Sequence, residues 1–175
     1  MSDTATAAPA PNLAAVQRLA ARLKSPLGLR AYFLAKLPLA YMAGLRIKVL
    51  DAERCAVTVP YGWRTTNPFK STYFAAQSMA AELSTGALVM LATETAPAPV
   101  AMLIVSMTAA FEKKATETLT FTCEAGPDAF AAVAETLRTG EGVPIEMRTV
   151  GTLPDGTVAS TFTFTWSVKK RAPRA

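Results

Sequence analysis

Between Ser71 and Thr93 the chain is almost entirely apolar, and the one carboxylate in that stretch is Glu82. Alanine and leucine dominate, so the segment is predicted to be a helix from Ser71 or Thr72 to about Thr93. Ser71 is its expected N-cap, and Pro97 and Pro99 close it. The apolar residues encircle the helix, and a helix apolar on every side is buried on every side. Whatever else the chain builds must therefore sheathe this rod. A carboxylate at an otherwise apolar position costs several kcal/mol unless it is paired or hydrogen-bonded, so Glu82 is either neutralised by structure or put to use.

The chain has 175 residues, 51% of them apolar, and no histidine. Its length fits one domain with a core of its own. Without histidine, a Ser-His-Asp hydrolase is excluded, and acid–base chemistry near neutral pH falls to other side chains. No glycine-rich dinucleotide or NTP motif is present. Cys55 and Cys123 each lie in a predicted strand with no metal-ligand spacing, so buried, reduced thiols in a cytoplasm are expected, with no metal and no cofactor. Residues 1–11 lack the basic start and apolar core of a secretory signal and read as a disordered leader. No transmembrane span is expected, because Glu82, Pro97 and Pro99 break the longest apolar stretches. The net charge of +5 gathers partly at the C-terminus in Lys169, Lys170, Arg171 and Arg174. The last seven residues, with the basic tail proper at 171–175, read as a solvated end, with a phosphate contact as the alternative. The basic residues are not interleaved with aromatics, which argues against nucleic acid.

Residues 12–38 form a predicted helical lead-in. Apolar residues at 13, 16, 19, 20 and 23 have helical spacing, and Ser25-Pro26 starts a second helix that runs to about Leu37. Basic amphipathic helices can lie on membranes; the preferred reading is that this pair covers one side of the domain or a dimer edge. From Leu45 the period changes to two. Leu45, Ile47 and Val49, a turn at 51–54, then Cys55, Val57 and Val59 make an antiparallel hairpin. After the long helix come strands. Val100–Phe111, nearly continuous in apolar residues, reads as a strand buried on both faces. Thr116–Glu124 alternates, and Pro127–Arg138 reads as a short surface helix. Val143–Leu153 and Val158–Val168 flank a Pro154-Asp155-Gly156 turn. The expected fold class is α+β: a curved antiparallel sheet wrapped around one long central helix.

This order, with Asn67-Pro68-Phe69-Lys70-Ser71-Thr72-Tyr73-Phe74 leading into Met79-Ala80-Ala81-Glu82 and Thr85-Gly86, resembles the hotdog fold over residues 39–170. It resembles more closely the domain-of-unknown-function branch beside the phenylacetate-pathway-type acyl-CoA thioesterases. In those thioesterases an Asn precedes a His-Gly-Gly turn, a glycine amide at the helix start polarises the thioester carbonyl, and a carboxylate follows in the helix. By that resemblance Asn67 takes the Asn position, Glu82 the carboxylate position, Tyr73 the His position, and Phe74 and Ala75 the glycine positions. Phe74 and Ala75 keep their amides, although their side chains narrow the approach. The resemblance implies an acyl-CoA thioesterase-like hydrolase acting on an acyl-CoA or other acyl thioester, and a homodimer or dimer of dimers with ligand at the subunit interface. A non-catalytic acyl-binding module on the same fold is the alternative.

Two readings stand for Glu82: general base or nucleophile, or a structural carboxylate held by Ser78 and Thr85 one turn to either side. Asn67 orients the loop that forms an oxyanion hole, or simply starts a turn. Tyr73, Phe74 and Gln77 are candidates for ligand contact at the helix start, with packing the alternative for the aromatics. Arg64 and Lys70 are candidates for phosphate contact, or face water. Met79, Met90, Met102 and Met107 fill core or line an acyl channel, core filling being preferred.

Overall fold

The structure, a computed structural model, describes residues 12–172. The leader 1–11 and residues 173–175 of the basic tail lie outside the described residues.

Three helices open the chain. Helix α1 (Leu13–Lys24) starts where the Asn12 side chain accepts from the Ala15 amide at 3.1 Å, and it buries Val16, Ala20 and Leu23 along one stripe. Helix α2 (Pro26–Lys36) starts at Ser25, whose Oγ accepts from the Gly28 amide, with Pro26 in the first turn. A third helix, α3 (Pro38–Ala43), was not foreseen. Pro38 ends α2 and begins α3 in one step, because a missing N–H is tolerated at a helix start. Gly44, at φ 74°, closes α3 in the left-handed region.

The hairpin follows as β1 (Arg46–Leu50) and β2 (Cys55–Val59). Asp51 shapes its turn by accepting from the Glu53 and Arg54 amides, each at 2.9 Å. A bulge between Ile47 and Val49 shifts the register, so Leu50 reaches the core while Val49 is only half-buried. Helix α4 (Phe74–Glu94) begins later than expected. Then come β3 (Val100–Phe111), β4 (Leu119–Cys123), α5 (Gly126–Thr139), β5 (Val143–Thr152) and β6 (Val158–Lys170).

The six strands form one antiparallel sheet in the order β1-β2-β4-β5-β6-β3. Helix α4 touches every strand, so the sheet curves around it as expected. Leu88, Val89 and Leu91 of α4 meet Val57, Leu119, Phe121, Met147 and Phe162 in the core, all essentially inaccessible to water. The strict alternation of Phe162, Phe164, Trp166 and Val168 on β6 builds the inner face.

Two expectations fail in an instructive way. Strand β3 is not buried on both faces. It lies at the sheet edge, bonded to β6 alone, with Leu103 68%, Val105 62%, Met107 46% and Phe111 53% exposed. Nor is α4 sealed on every side. Phe74 is exposed and Ala75, Ser78, Met79 and Glu82 are half-buried, a stripe of i, i+3 and i+4 neighbours open at the surface. Met90, further along, is half-buried beside Tyr32 of α2, whose hydroxyl lies 3.7 Å from its sulfur.

Candidate functional site

The chain reaches α4 through a loop tied down at several points. The Thr65 hydroxyl donates to the Pro60 carbonyl at 2.6 Å, and the Tyr73 amide donates to the Thr65 carbonyl at 2.7 Å. A Thr66–Thr72 bridge closes a small hairpin loop. At its centre Asn67 Oδ1 accepts from the Phe69 amide (3.0 Å), the Ser71 amide (3.2 Å) and the Ser71 hydroxyl (3.2 Å). This turn captures Ser71, which therefore does not cap α4. Lys70 sits at the tip with φ 56°, in the left-handed region, so the Asn67 bonds hold a conformation that a lysine does not favour alone.

The N-cap of α4 is Tyr73, in extended conformation and without a capping side-chain bond. Its carbonyl accepts from the Ala76 and Gln77 amides. The amides of Phe74 and Ala75 meet no acceptor among the described residues. They are the donors that a helix start leaves over, at its positive end.

Around this helix start lies a cleft of about 550 Å³, lined by Asn67, Tyr73, Phe74 and Gln77 and closed opposite by the segment from Phe111 to Ala115. Tyr73 and Phe74 meet edge to face at 4.9 Å, both roughly half exposed. Gln77 is buried and braces the cleft. Its Nε2 donates to the Thr72 carbonyl at 3.0 Å, and its Oε1 accepts from the Ser160 hydroxyl at 2.7 Å. Sequence reasoning missed the opposite wall, where Lys113 and Lys114 stand at the mouth. A Glu112-Lys113-Lys114 run after a long apolar strand is the signal that could have marked it.

Glu82 does not line this cleft; it lies two turns further along α4, on the open stripe. Burial alone pushes its carboxyl above the ordinary carboxylate range. Neither expected hydroxyl holds it: Ser78 donates to the Phe74 carbonyl at 2.9 Å, and Thr85 donates to the backbone carbonyl of Glu82 at 3.0 Å. Thr85 in turn accepts from Trp166 Nε1 at 3.0 Å. The carboxylate therefore has no hydrogen-bond or ion-pair partner among the described residues, where Arg138–Glu135 is the salt bridge found. Gly86 makes room for it: a Cβ there would come within 3.0 Å of Glu82 Oε1 and 3.1 Å of the Trp166 ring.

The remaining candidates disperse. Arg64 lines a second cleft at the other side of the hairpin, and Lys70 lines neither. Of the four methionines read as core filling, none is fully buried: Met79, Met90 and Met102 are half-buried and Met107 is exposed. Among the described residues Met147, on β5, is the core methionine at 0% exposure.

The model of the domain of unknown function DUF4442 matches residues 28–168. No curated protein matches the sequence. Among solved structures the chain is similar to a protein of unknown function from Pseudomonas aeruginosa named a probable thioesterase (17% identity, TM-score 0.69, covering 86% of this chain and 99% of that one). It is also similar to a protein of unknown function from Chlorobaculum tepidum (16%, 0.70, 86% and 99%). A thioesterase from Haemophilus influenzae aligns as well (12%, 0.58, 82% and 90%). At these identities the likeness is one of fold, the hotdog arrangement of a curved sheet around a long helix. The match across most of the chain decides the family: this protein belongs to the DUF4442 family, on a thioesterase-like hotdog fold.

Proposed function

We propose that this protein hydrolyses acyl thioesters, acyl-CoA among them, in a site completed by a second copy of the chain. The observation that carries the proposal is a desolvated, unpartnered carboxylate, Glu82, on the open stripe of a helix whose first amides are also unsatisfied. Water attacks the thioester carbonyl carbon while Glu82 takes its proton. The oxygen's developing charge rests on the Phe74 and Ala75 amides of the other copy, because within one chain Glu82 lies two turns along α4 from that cleft. The C–S bond then breaks, and the thiolate leaves with the proton that Glu82 held. Glu82 attacking the carbonyl directly is the covalent variant, with a mixed anhydride that water later opens. Asn67 acts by holding the loop before the helix start. Tyr73, Phe74, Gln77 and the stripe residue Ser78 shape the acyl side. Thr85 is fully buried, bonded to Trp166, and does not reach it; no cofactor takes part. Lys113 and Lys114 meet the phosphates of the thiol carrier more readily than Arg64 or Lys70, because they stand at the cleft.

The second copy follows from two unsealed surfaces. Strand β3 offers a twelve-residue free edge with exposed apolar side chains, and α4 offers its open stripe. A free edge of that kind is covered in stable proteins. Pairing β3 with its copy would extend the sheet and cover those side chains.

A second reading, acyl binding without turnover, is favoured by one observation: Glu82 stands away from the cleft at the helix start. Thiol release from a panel of acyl-CoAs separates the two. Hydrolysis by the wild type, reduced about 100-fold or more in Glu82→Ala, supports catalysis. Equally slow release by both, with saturable binding of a fatty acyl-CoA, supports the binding module.

A further inference from the structure

The second cleft, of about 500 Å³, lies between the helical lead-in and β1. Five cations line it: Lys24 from the end of α1, Arg30 from α2, Arg46 and Lys48 from the outward face of β1, and Arg64 from the loop after β2. No carboxylate lines it, and none of the five joins the ion pair found among the described residues. The Arg30 guanidinium lies 6.0 Å over the Tyr41 ring, which holds it at the wall. Five like charges gathered in a concave site set up a strong positive potential. They match the phosphate of a ligand and repel any cation.

The rim adds a second, independent observation. Leu27 is 81% exposed, Leu34 64%, Leu39 68% and Met42 61%. Leu27 and Leu34 lie three residues before and four after Arg30, on one face of α2. Leu39 and Met42 repeat that spacing on α3. The apolar face of the lead-in thus borders the cationic cleft. A soluble phosphate ester would need the cations and not the leucines. A bilayer surface presents anionic headgroups above acyl chains, and it answers both.

Among the described residues the topology leaves this surface free. The cleft borders β1, and β3 forms the opposite edge of the sheet, so a dimer built on β3 does not cover it. Among the described residues no helix is long and apolar enough to cross a membrane; the contact is one of lying on the surface.

We infer that the lead-in cleft docks the protein on anionic phospholipid, with a headgroup phosphate among Lys24, Arg30, Arg46, Lys48 and Arg64, and the exposed leucines of α2 and α3 entering the interfacial layer. The experiment is sedimentation of the full chain with vesicles of phosphatidylcholine alone and with roughly one-third phosphatidylglycerol. It is repeated for Arg30→Glu/Lys48→Glu and for Leu27→Ser/Leu34→Ser. All four positions are at the surface or half-exposed, and unchanged circular dichroism confirms folding. The expected result is binding to the anionic vesicles that weakens with added salt, falls at least ten-fold on charge reversal and falls measurably on removing the leucines. Equal binding to neutral and anionic vesicles, or none to either, overturns the inference. So does binding indifferent to the cleft variants but abolished in Lys169→Glu/Lys170→Glu, which would make it a general attraction to basic surface. Saturable binding of pyrophosphate to the cleft without vesicle binding assigns it to a soluble phosphate and also overturns the lipid reading. None of these outcomes depends on thioester hydrolysis.

Discussion

A carboxyl group taken out of water without a partner keeps its proton longer than one in solvent, and Glu82 is in that position. Its folded pKa lies above its unfolded value, so between the two the folded chain binds more protons than the unfolded one. Stability on this account is fully present below the ordinary carboxylate range and is lost as pH rises through the elevated value. Glu82→Gln, which keeps the shape and removes the charge, is therefore expected to raise Tm near neutral pH. The advantage should shrink to nothing in acid, and thermal melts across that range check it. A variant that gains stability while losing activity marks a residue kept for chemistry. The other buried ionisable side chains behave differently. Cys55 and Cys123 face each other across β2 and β4, and burial raises both thiols, Cys123 to about 11. They are protonated packing groups, as their place in alternating strands suggested.

At the scale of elements, the loop before α4 depends on Asn67. Replacing it with alanine removes the acceptor of three hydrogen bonds and frees Lys70 from a left-handed conformation. Asn67→Ala should cost about 1–3 kcal/mol in urea unfolding. It should also lower thioester turnover, because the amides after Tyr73 lose their anchor. This region also shows how far the residues alone could be read. The helix was legible from its composition, but its start was placed early at Ser71, because a serine near a helix start looks like a cap until Asn67 is seen to bind it. Asn67, Tyr73, Phe74 and Gln77 are brought to one cleft. Arg64 is carried elsewhere, since spacing along a loop does not say which way it folds. The run Val100–Phe111 misled for a physical reason. An apolar run does not say what covers a strand, and this one lies at the sheet edge, bonded to β6 alone. The bulge after Ile47 was likewise invisible, because the apolar residues on both sides of it fit either register.

For the whole molecule, the account requires two copies. A charge at an exposed position on β3 should split them without unfolding either. Val105→Lys, at a position 62% exposed, is expected to sediment as a monomer with native circular dichroism, and a variant as dimeric as the wild type would remove the need for a shared site. Within the chain, the curved sheet wraps the rod and leaves one desolvated acid half-buried on it. The most direct test follows the proton on that acid. The pH dependence of kcat/KM for an acyl-CoA is measured beside the titration of the Glu82 side-chain carboxyl followed by carbon NMR. The account predicts that both rise through one midpoint above the ordinary carboxylate range, and that the kinetic limb disappears in Glu82→Gln. A carboxyl that titrates at its ordinary value, or a rate indifferent to its ionisation, would contradict it.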